Sequence, residues 1–309
     1  MRALVTGGAG FIGSHIVDAL VAEGADVLVI DDLSRGRPDA VNPRARLVLL
    51  DIAAEAVQRE LEAFRPEVVF HQAAQASVPV SLQRPGHDAR VNIIGTIRLL
   101  EMCLAAGVRK VIYASSAAVY GTPCYLPIDE NHPVYPLSPY GISKLAAEMY
   151  LSVFRKHWGL DFTVLRYANV YGPRQDALGE GGVVAVFADR IRRCEQLTVF
   201  GDGEQTRDFI HVHDVARANL AAFSSAGGQV LNVSTGRATS VNQLVTMFKR
   251  LTRRVPSVTF AAARPGDIRH SYLDNSKARS ELNWAPQYDL ETGLAQTLRA
   301  IGLLTGDKH

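Results

Sequence analysis

The chain has 309 residues, room for one large domain or two smaller ones. Hydrophobic residues make up 47 % and charged residues 21 %, ordinary for a globular protein with a sizeable core, which excludes long disordered stretches. Lys and Arg total 33 against 31 Asp and Glu, so no basic excess exists to neutralise a phosphate backbone, and no nucleic-acid partner is expected.

No run approaches the roughly 18 apolar residues of a membrane span, and no membrane association is expected. Met1-Arg2 leads straight into Ala3-Leu4-Val5-Thr6-Gly7-Gly8, without the pattern of a secretory leader. Cys103, Cys124 and Cys194 are too few to form a disulfide framework. The expectation is a soluble, reduced, cytoplasmic protein.

Short aliphatic runs at 3–5, 27–30, 47–50, 68–70, 111–114 and 163–165 predict strands apolar on both faces, as in a parallel sheet covered on both sides. Helical patterns at 12–23, 54–64, 87–106 and 139–158 alternate with them. This βαβα order predicts an α/β protein with a doubly wound parallel sheet. The character changes after Leu165. Residues 171–182 are loop-like, with Gly172, Pro173, Gly179, Gly181 and Gly182, and turn signals follow at Gly201-Asp202-Gly203, Gly227-Gly228 and Pro265-Gly266-Asp267. The expected division is a dinucleotide-binding domain over 1–169, to which 210–234 returns through a strand at 230–233, and a smaller mixed α/β substrate domain over 170–309.

Thr6-Gly7-Gly8-Ala9-Gly10-Phe11-Ile12-Gly13 follows the first strand and opens the first helix. The tight turn needs Gly7, close approach to a pyrophosphate needs Gly10, and helix–strand packing needs Gly13. The helix N-terminus then offers N–H groups to the phosphates. Asp31, at the end of the second strand, can accept from both adenosine ribose hydroxyls and would repel a 2′-phosphate, so NAD is favoured over NADP; Asp32 and Ser34 are placed to assist. Asp51, after the third strand, either meets the adenine edge or caps the turn before Ala53-Ala54.

Tyr140-Gly141-Ile142-Ser143-Lys144 opens the helix at 139–158, and the spacing of four puts Tyr140 and Lys144 on one face. A neighbouring ammonium favours the phenolate and makes a tyrosine a usable proton acceptor for an alcohol. Ser115-Ser116 lies just past the strand at 111–114, at the carboxyl edge where ligands bind in such sheets. A hydroxyl at Ser116 is placed to bond the reacting oxygen; capping or turn formation is the alternative for either serine.

The glycine triplet, Asp31, Ser115-Ser116-Ala117-Ala118-Val119-Tyr120-Gly121 and Tyr140-x3-Lys144 together resemble the extended short-chain dehydrogenase/reductase family, whose core is a Rossmann fold. Further matches run nearly the length of the chain: Asn92-Ile93-Ile94-Gly95-Thr96, Arg166-Tyr167-Ala168-Asn169-Val170-Tyr171-Gly172-Pro173-Arg174, Arg207-Asp208-Phe209-Ile210-His211-Val212 and Arg264-Pro265-Gly266-Asp267. Within that family the chain is similar to the sugar-nucleotide 4-epimerases, which retain their own NAD.

The resemblance implies that Tyr140 takes the proton from the sugar 4-hydroxyl as the hydride moves to NAD, that Lys144 binds the nicotinamide ribose, and that Ser116 holds the 4-oxygen with Ser115 behind it. A flat 4-keto sugar would then rotate and take the hydride back on its other face, interconverting UDP-glucose and UDP-galactose. Phe11, Ile12, Ile52, Gln72, Ala73, Ala74, Asn92 and Tyr167 fall where the family lines the cofactor. Asn169, Val183, Val184, Thr198, Phe200, Arg207, Arg264 and Asp267 fall where it holds the UDP-sugar. The chemistry agrees: the two arginines suit a diphosphate, Phe200 suits a stacked uracil, and Asp267 a ribose hydroxyl.

Ala117-Ala118 stand where dehydratases of the family carry an Asp-Glu pair, and Asn169 where epimerases of UDP-glucuronate tend to have threonine. UDP-glucuronate epimerisation and a related dehydratase or dehydrogenase activity are the alternatives, with a non-enzymatic NAD-binding regulator further behind. Ser271 stands where some members have a tyrosine that excludes a 2-N-acetyl group, which implies that UDP-N-acetylhexosamines are accepted too. Ala76 stands where a related bacterial type has a lysine.

His211-x-His213-Asp214 is expected to be alternate strand residues followed by a helix cap rather than a metal site, and no metal is expected. His71 is expected as a hydrogen-bonded core histidine, and Trp158 and Trp284 as packing anchors. The helices at 87–106 and 139–158 are apolar around much of their circumference, which implies a homodimer through a four-helix bundle.

Overall fold

The computed structural model describes residues 1–177, 182–253, 257–264 and 266–304; Gly179, Gly181 and Pro265, named above, lie outside these. Seven strands form one parallel sheet: β1 (Arg2–Thr6), β2 (Asp26–Asp31), β3 (Arg46–Leu49), β4 (Val68–His71), β5 (Lys110–Ser116), β6 (Asp161–Tyr167) and, after an excursion, β11 (Gln229–Val233). Their order is β11-β6-β5-β4-β1-β2-β3. The chain runs outward in one direction from β1 through β2 and β3, and in the other from β4, so a crevice opens at the carboxyl ends of β1 and β4.

Alternation along each strand divides the core. Ala3 and Val5 of β1 face Ile16, Val17 and Leu20 of α1 (Phe11–Ala22), with Val215 and Ala218 of α8 (Val212–Ser224) on the same side. Leu4 faces the opposite side, with Val57 and Leu61 of α2 (Ala56–Phe64), Leu99 of α5 (Gly95–Ala105) and Leu151 of α6 (Pro139–Trp158). Two short helices, α3 (Val78–Gln83) and α4 (Pro85–Ala89), precede α5.

The remaining elements are β7 (Asn169–Tyr171), α7 (Val183–Arg192), β8 (Leu197–Phe200), β9 (Thr206–Arg207), β10 (Phe209–His211), β12 (Thr239–Ser240), α9 (Val241–Thr252), β13 (Val258–Ala261), α10 (Ser276–Leu282) and α11 (Leu290–Ala300). Among the described residues their strands pair in twos, β7 with β10, β8 with β13 and β9 with β12. A separate apolar cluster of Val184, Phe187, Ile191, Leu244, Phe248 and Leu294 packs them together.

Helix α6, which carries the tyrosine and lysine, is bounded by its own sequence. Ser138 caps it, its hydroxyl accepting from Gly141 N at 3.2 Å, with Pro139 in the first turn; Gly159 ends it at φ 74°.

Several expectations need correction. β3 is not buried on both faces: it is the sheet edge, with no further strand paired to it among the described residues, and Leu49 is exposed. The helix expected over 87–106 has a wide π-type turn at Arg90–Ile94 between α4 and α5, within which the Asn92 side chain turns inward to Gln75, Asp88 and Ser143. Trp158 is not a buried anchor. As the last residue of α6 it lies against Phe154, and 59 % of it is exposed, whereas Trp284 is buried and donates to Asp214 O at 3.0 Å. His213 belongs to α8 rather than to a strand, while His211 ends β10 and caps that helix.

Candidate active site

The glycine turn sits at the crevice. Gly7 has φ 68°, and a Cβ there would come within 2.6 Å of Ala73 N. A Cβ on Gly13 would overlap the Gly7 carbonyl. Gly10 starts α1 with no side-chain cap, so the first-turn N–H groups remain available to an anion. These features form a cradle that side chains would fill, and it fits the pyrophosphate of a dinucleotide.

Asp31 is buried and organises the turn: Oδ2 accepts from Ala9 N at 2.9 Å and Oδ1 from Leu33 N at 2.8 Å. Burial pushes its carboxyl above the ordinary range, and the two N–H donors oppose that push. Asp32 is exposed and accepts from Ser34 N at 2.8 Å. Asp51 is exposed and accepts from Ala53 N at 2.8 Å, the local-turn arrangement, while Ile52 is buried against Gly95.

A cleft of about 1080 Å³ opens in front of the turn. It brings together Gly7, Gly10, Phe11, Ile12, Gly13, Gln72, Ala74, Ser115, Tyr140, Lys144, Tyr167, Asn169, Val183 and Val184. Tyr167 and Gln72 are fixed from behind by Asn219, whose Nδ2 donates to the Tyr167 hydroxyl at 2.8 Å. Asn92 is buried beneath this wall. Its amide donates to Gln75 O at 2.8 Å and Ser143 Oγ at 3.0 Å and accepts from Gln75 N at 2.8 Å, so it clamps the segment after β4 to α6.

Thr198, Phe200, Arg207, Arg264, Asp267 and Ser271 form a second group on β8, β9 and the segment after β13. The Arg264 guanidinium lies 4.0 Å from the Phe200 ring centroid, Arg190 Nη1 donates to Thr198 Oγ1 at 2.9 Å, and Ser271 N donates to Thr206 O at 3.2 Å. The groups meet where Asn169 N donates to Asp208 O at 2.9 Å, beside Arg207.

Lys144 is buried one turn beyond Tyr140. Its Nζ donates to Ala114 O at 2.8 Å and lies 5.9 Å from the Tyr140 ring centroid and 4.9 Å from that of Tyr113. Burial pulls its pKa down to about 8, against the opposing pull of the Asp88 and Glu148 carboxylates. Ser116 Oγ accepts from Ala118 N at 3.1 Å, capping the short turn that follows β5. Ser115 Oγ donates to Glu148 Oε1 at 2.5 Å, and Arg166 grips both oxygens of Glu148 at 3.0 and 2.6 Å. His71 is a satisfied core histidine between Thr6 and Thr96, at 2.8 and 3.0 Å.

Sequence reasoning missed five arginines that line the cleft: Arg35, Arg37, Arg174, Arg192 and Arg193. Arg35-Gly36-Arg37 had a signal, since it follows the acidic pair closely. A Cβ on Gly36 would sit 2.8 Å from Asp31 Oδ1, so the loop must fold over that carboxylate. Arg174 is held by a 2.6 Å pair with Asp18 across the fold, while Arg192 and Arg193 pair locally with Asp189 at 2.7 and 2.9 Å.

Residues 3–234 match the model of the NAD dependent epimerase/dehydratase family, and the chain belongs to that family. It is 45 % identical over 305 residues to a UDP-glucose 4-epimerase of Mycolicibacterium smegmatis, covering 96 % of this chain and 97 % of the relative. A crystal structure of UDP-glucose 4-epimerase from Thermotoga maritima with UDP-glucose superposes with TM-score 0.96 at 46 % identity, covering 98 % of this chain and 99 % of that one. The Thermus thermophilus UDP-glucose 4-epimerase in complex with NAD superposes with TM-score 0.92 at 41 % identity, covering 98 % and 99 %.

Proposed function

We propose that the protein is an NAD-dependent UDP-hexose 4-epimerase that interconverts UDP-glucose and UDP-galactose. The observation that carries this reading is Tyr140 beside buried Lys144, in the crevice that the glycine turn opens. Bound NAD supplies a reversible hydride acceptor for the sugar C4. The chain's own residues do the rest. Tyr140 removes the proton of the 4-hydroxyl and returns it, and the Lys144 ammonium stabilises the phenolate. Ser116, at the end of β5, donates to the 4-oxygen. The glycine turn and the N-terminus of α1 hold the pyrophosphate, with Asp31 at the adenosine ribose. Arg207 and Arg264 neutralise the UDP diphosphate, while Asn169, Val183 and Val184 form the sugar end of the pocket. Ala117 and Ala118 carry no group able to move a proton, which disfavours elimination of water.

In this reading residues 1–169 with 210–234 hold NAD and residues 170–309 hold the UDP-sugar. Ile94, Ile142, Met149 and Val153 form an exposed apolar face on and beside α6, 44–64 % accessible each, which supports a two-fold homodimer. Among the described residues no helix is long and apolar enough to cross a membrane. Cytoplasmic galactose metabolism is the setting proposed.

The test is incubation of the purified protein, without added NAD, with UDP-galactose, UDP-N-acetylglucosamine and UDP-glucuronate in turn, with the products resolved by proton NMR. A C4 epimer of UDP-galactose is expected. No product even with NAD supplied would overturn the reading.

A further inference from the structure

The surroundings of Lys144 contain more charge than a tyrosine–lysine pair requires. Tyr140 lies one turn before it on α6 and Glu148 one turn after it. Strand β5 puts the Tyr113 ring beneath Nζ, and β4 brings neutral His71 against Tyr113. From α4 comes Asp88, and Arg166 of β6 stands behind Glu148.

Glu148 is fully engaged by Ser115 and Arg166. Asp88 is different. It is 1 % exposed, and its Oδ1 accepts from Gln75 Nε2 at 2.7 Å and Asn92 Nδ2 at 3.2 Å. Its Oδ2 is buried without a hydrogen-bond partner. Leaving a buried carboxylate oxygen bare is costly unless its charge is useful nearby. Asn92 also donates to Ser143, the residue before Lys144, so a single amide fixes Asp88 relative to the lysine.

We propose that Asp88 is a positioning residue whose buried carboxylate, with that of Glu148, keeps Lys144 cationic and so sets the pH range in which Tyr140 works as the base. Burial alone drives Lys144 toward neutrality, and with both carboxylates opposing it the pKa still falls to about 8. The margin above neutral pH is therefore narrow, and loss of either negative charge shifts the lysine toward its neutral form in the working range.

The assignment rests on Tyr140 being the base, but its test does not require turnover. The chain has six lysines, few enough to follow individually once labelled with 13C at the ε-carbon. The Lys144 signal of the NAD-bound holoenzyme is assigned with Lys144→Met and titrated in the wild type and in Asp88→Asn. Asparagine keeps the Oδ1 acceptor and alters only the unpartnered oxygen, so an unchanged Tm is expected. The Lys144 midpoint is expected to fall by about 1 pH unit, and the alkaline limb of kcat with it. Asp88→Ser carries the same expectation should the asparagine variant not fold, and Asp88→Glu should restore the midpoint. A Lys144 titration superimposable on wild type in a folded, charge-removed variant overturns the proposal. A lowered midpoint in a protein that turns over no UDP-sugar would support it while sinking the epimerase reading.

Discussion

The Ser115 hydroxyl donates to Glu148 Oε1 at 2.5 Å, on the side of β5 away from the hydroxyl of its neighbour Ser116. Successive residues of a strand point to opposite faces, so the two adjacent serines at this strand end are proposed to perform different tasks. Ser115 ties β5 to α6 through a buried carboxylate. The carbonyl of Ala114, the residue before it, accepts from Lys144 Nζ at 2.8 Å.

Substitution at the two serines should therefore separate. Ser116→Ala is expected to lower kcat roughly a hundredfold, the loss typical of removing a donor to a reacting oxygen, with little change in Tm. Ser115→Ala is expected to cost about 1–3 kcal/mol of stability, because a carboxylate oxygen in the core loses a donor. Thermal melts and steady-state rates of both variants check this; a larger kcat loss at Ser115 than at Ser116 would reverse the assignment.

Tyr140→Phe removes the hydroxyl proposed as the proton acceptor and keeps the ring. A fall in kcat of about 10²–10⁴ is expected, with Tm and the bound NAD content unchanged. Retention of near wild-type turnover would show that another group moves the proton.

Acid should destabilise the protein through its buried neutral histidines. Burial holds His71 and His211 at about 3, far below the free value of 6.5, and both are almost fully buried. Below pH 6.5 the unfolded chain takes up protons that the native state refuses, so stability falls with pH until about 3. At pH 5 each histidine should cost about 2 kcal/mol. Urea unfolding from pH 7.5 to 5 checks the slope, and His71→Gln or His211→Gln should flatten it.

Ser271 is proposed to bear on specificity. Its backbone N–H donates to Thr206 O, next to Arg207, which places residue 271 beside the residues proposed to hold the UDP-sugar. Wild-type enzyme is expected to epimerise UDP-N-acetylglucosamine as well as UDP-galactose. Ser271→Tyr should lower kcat/KM for the acetylated sugar at least about tenfold relative to the unsubstituted one, a steric discrimination of about 1–3 kcal/mol. An unchanged ratio would place the acetyl group elsewhere.

Much of the architecture is local and therefore visible in the chain itself. The Gly7, Gly10 and Gly13 spacing, the aliphatic runs of the sheet, the Ser138-Pro139 start and Gly159 end of α6, and the shared face of Tyr140 and Lys144 all follow from backbone sterics and from the periods of strand and helix. Solvent exposure and long-range pairing do not follow from these rules. Only the folded chain decides that β3 is an edge, that Trp158 stays in water, that Arg35 and Arg174 face one cleft, and that Ser115 meets Glu148 across 33 positions. The bare oxygen of Asp88 is the clearest case. A sequence names a carboxylate, but whether its charge is hydrated, paired or spent on a lysine 56 residues away depends on which elements pack around it.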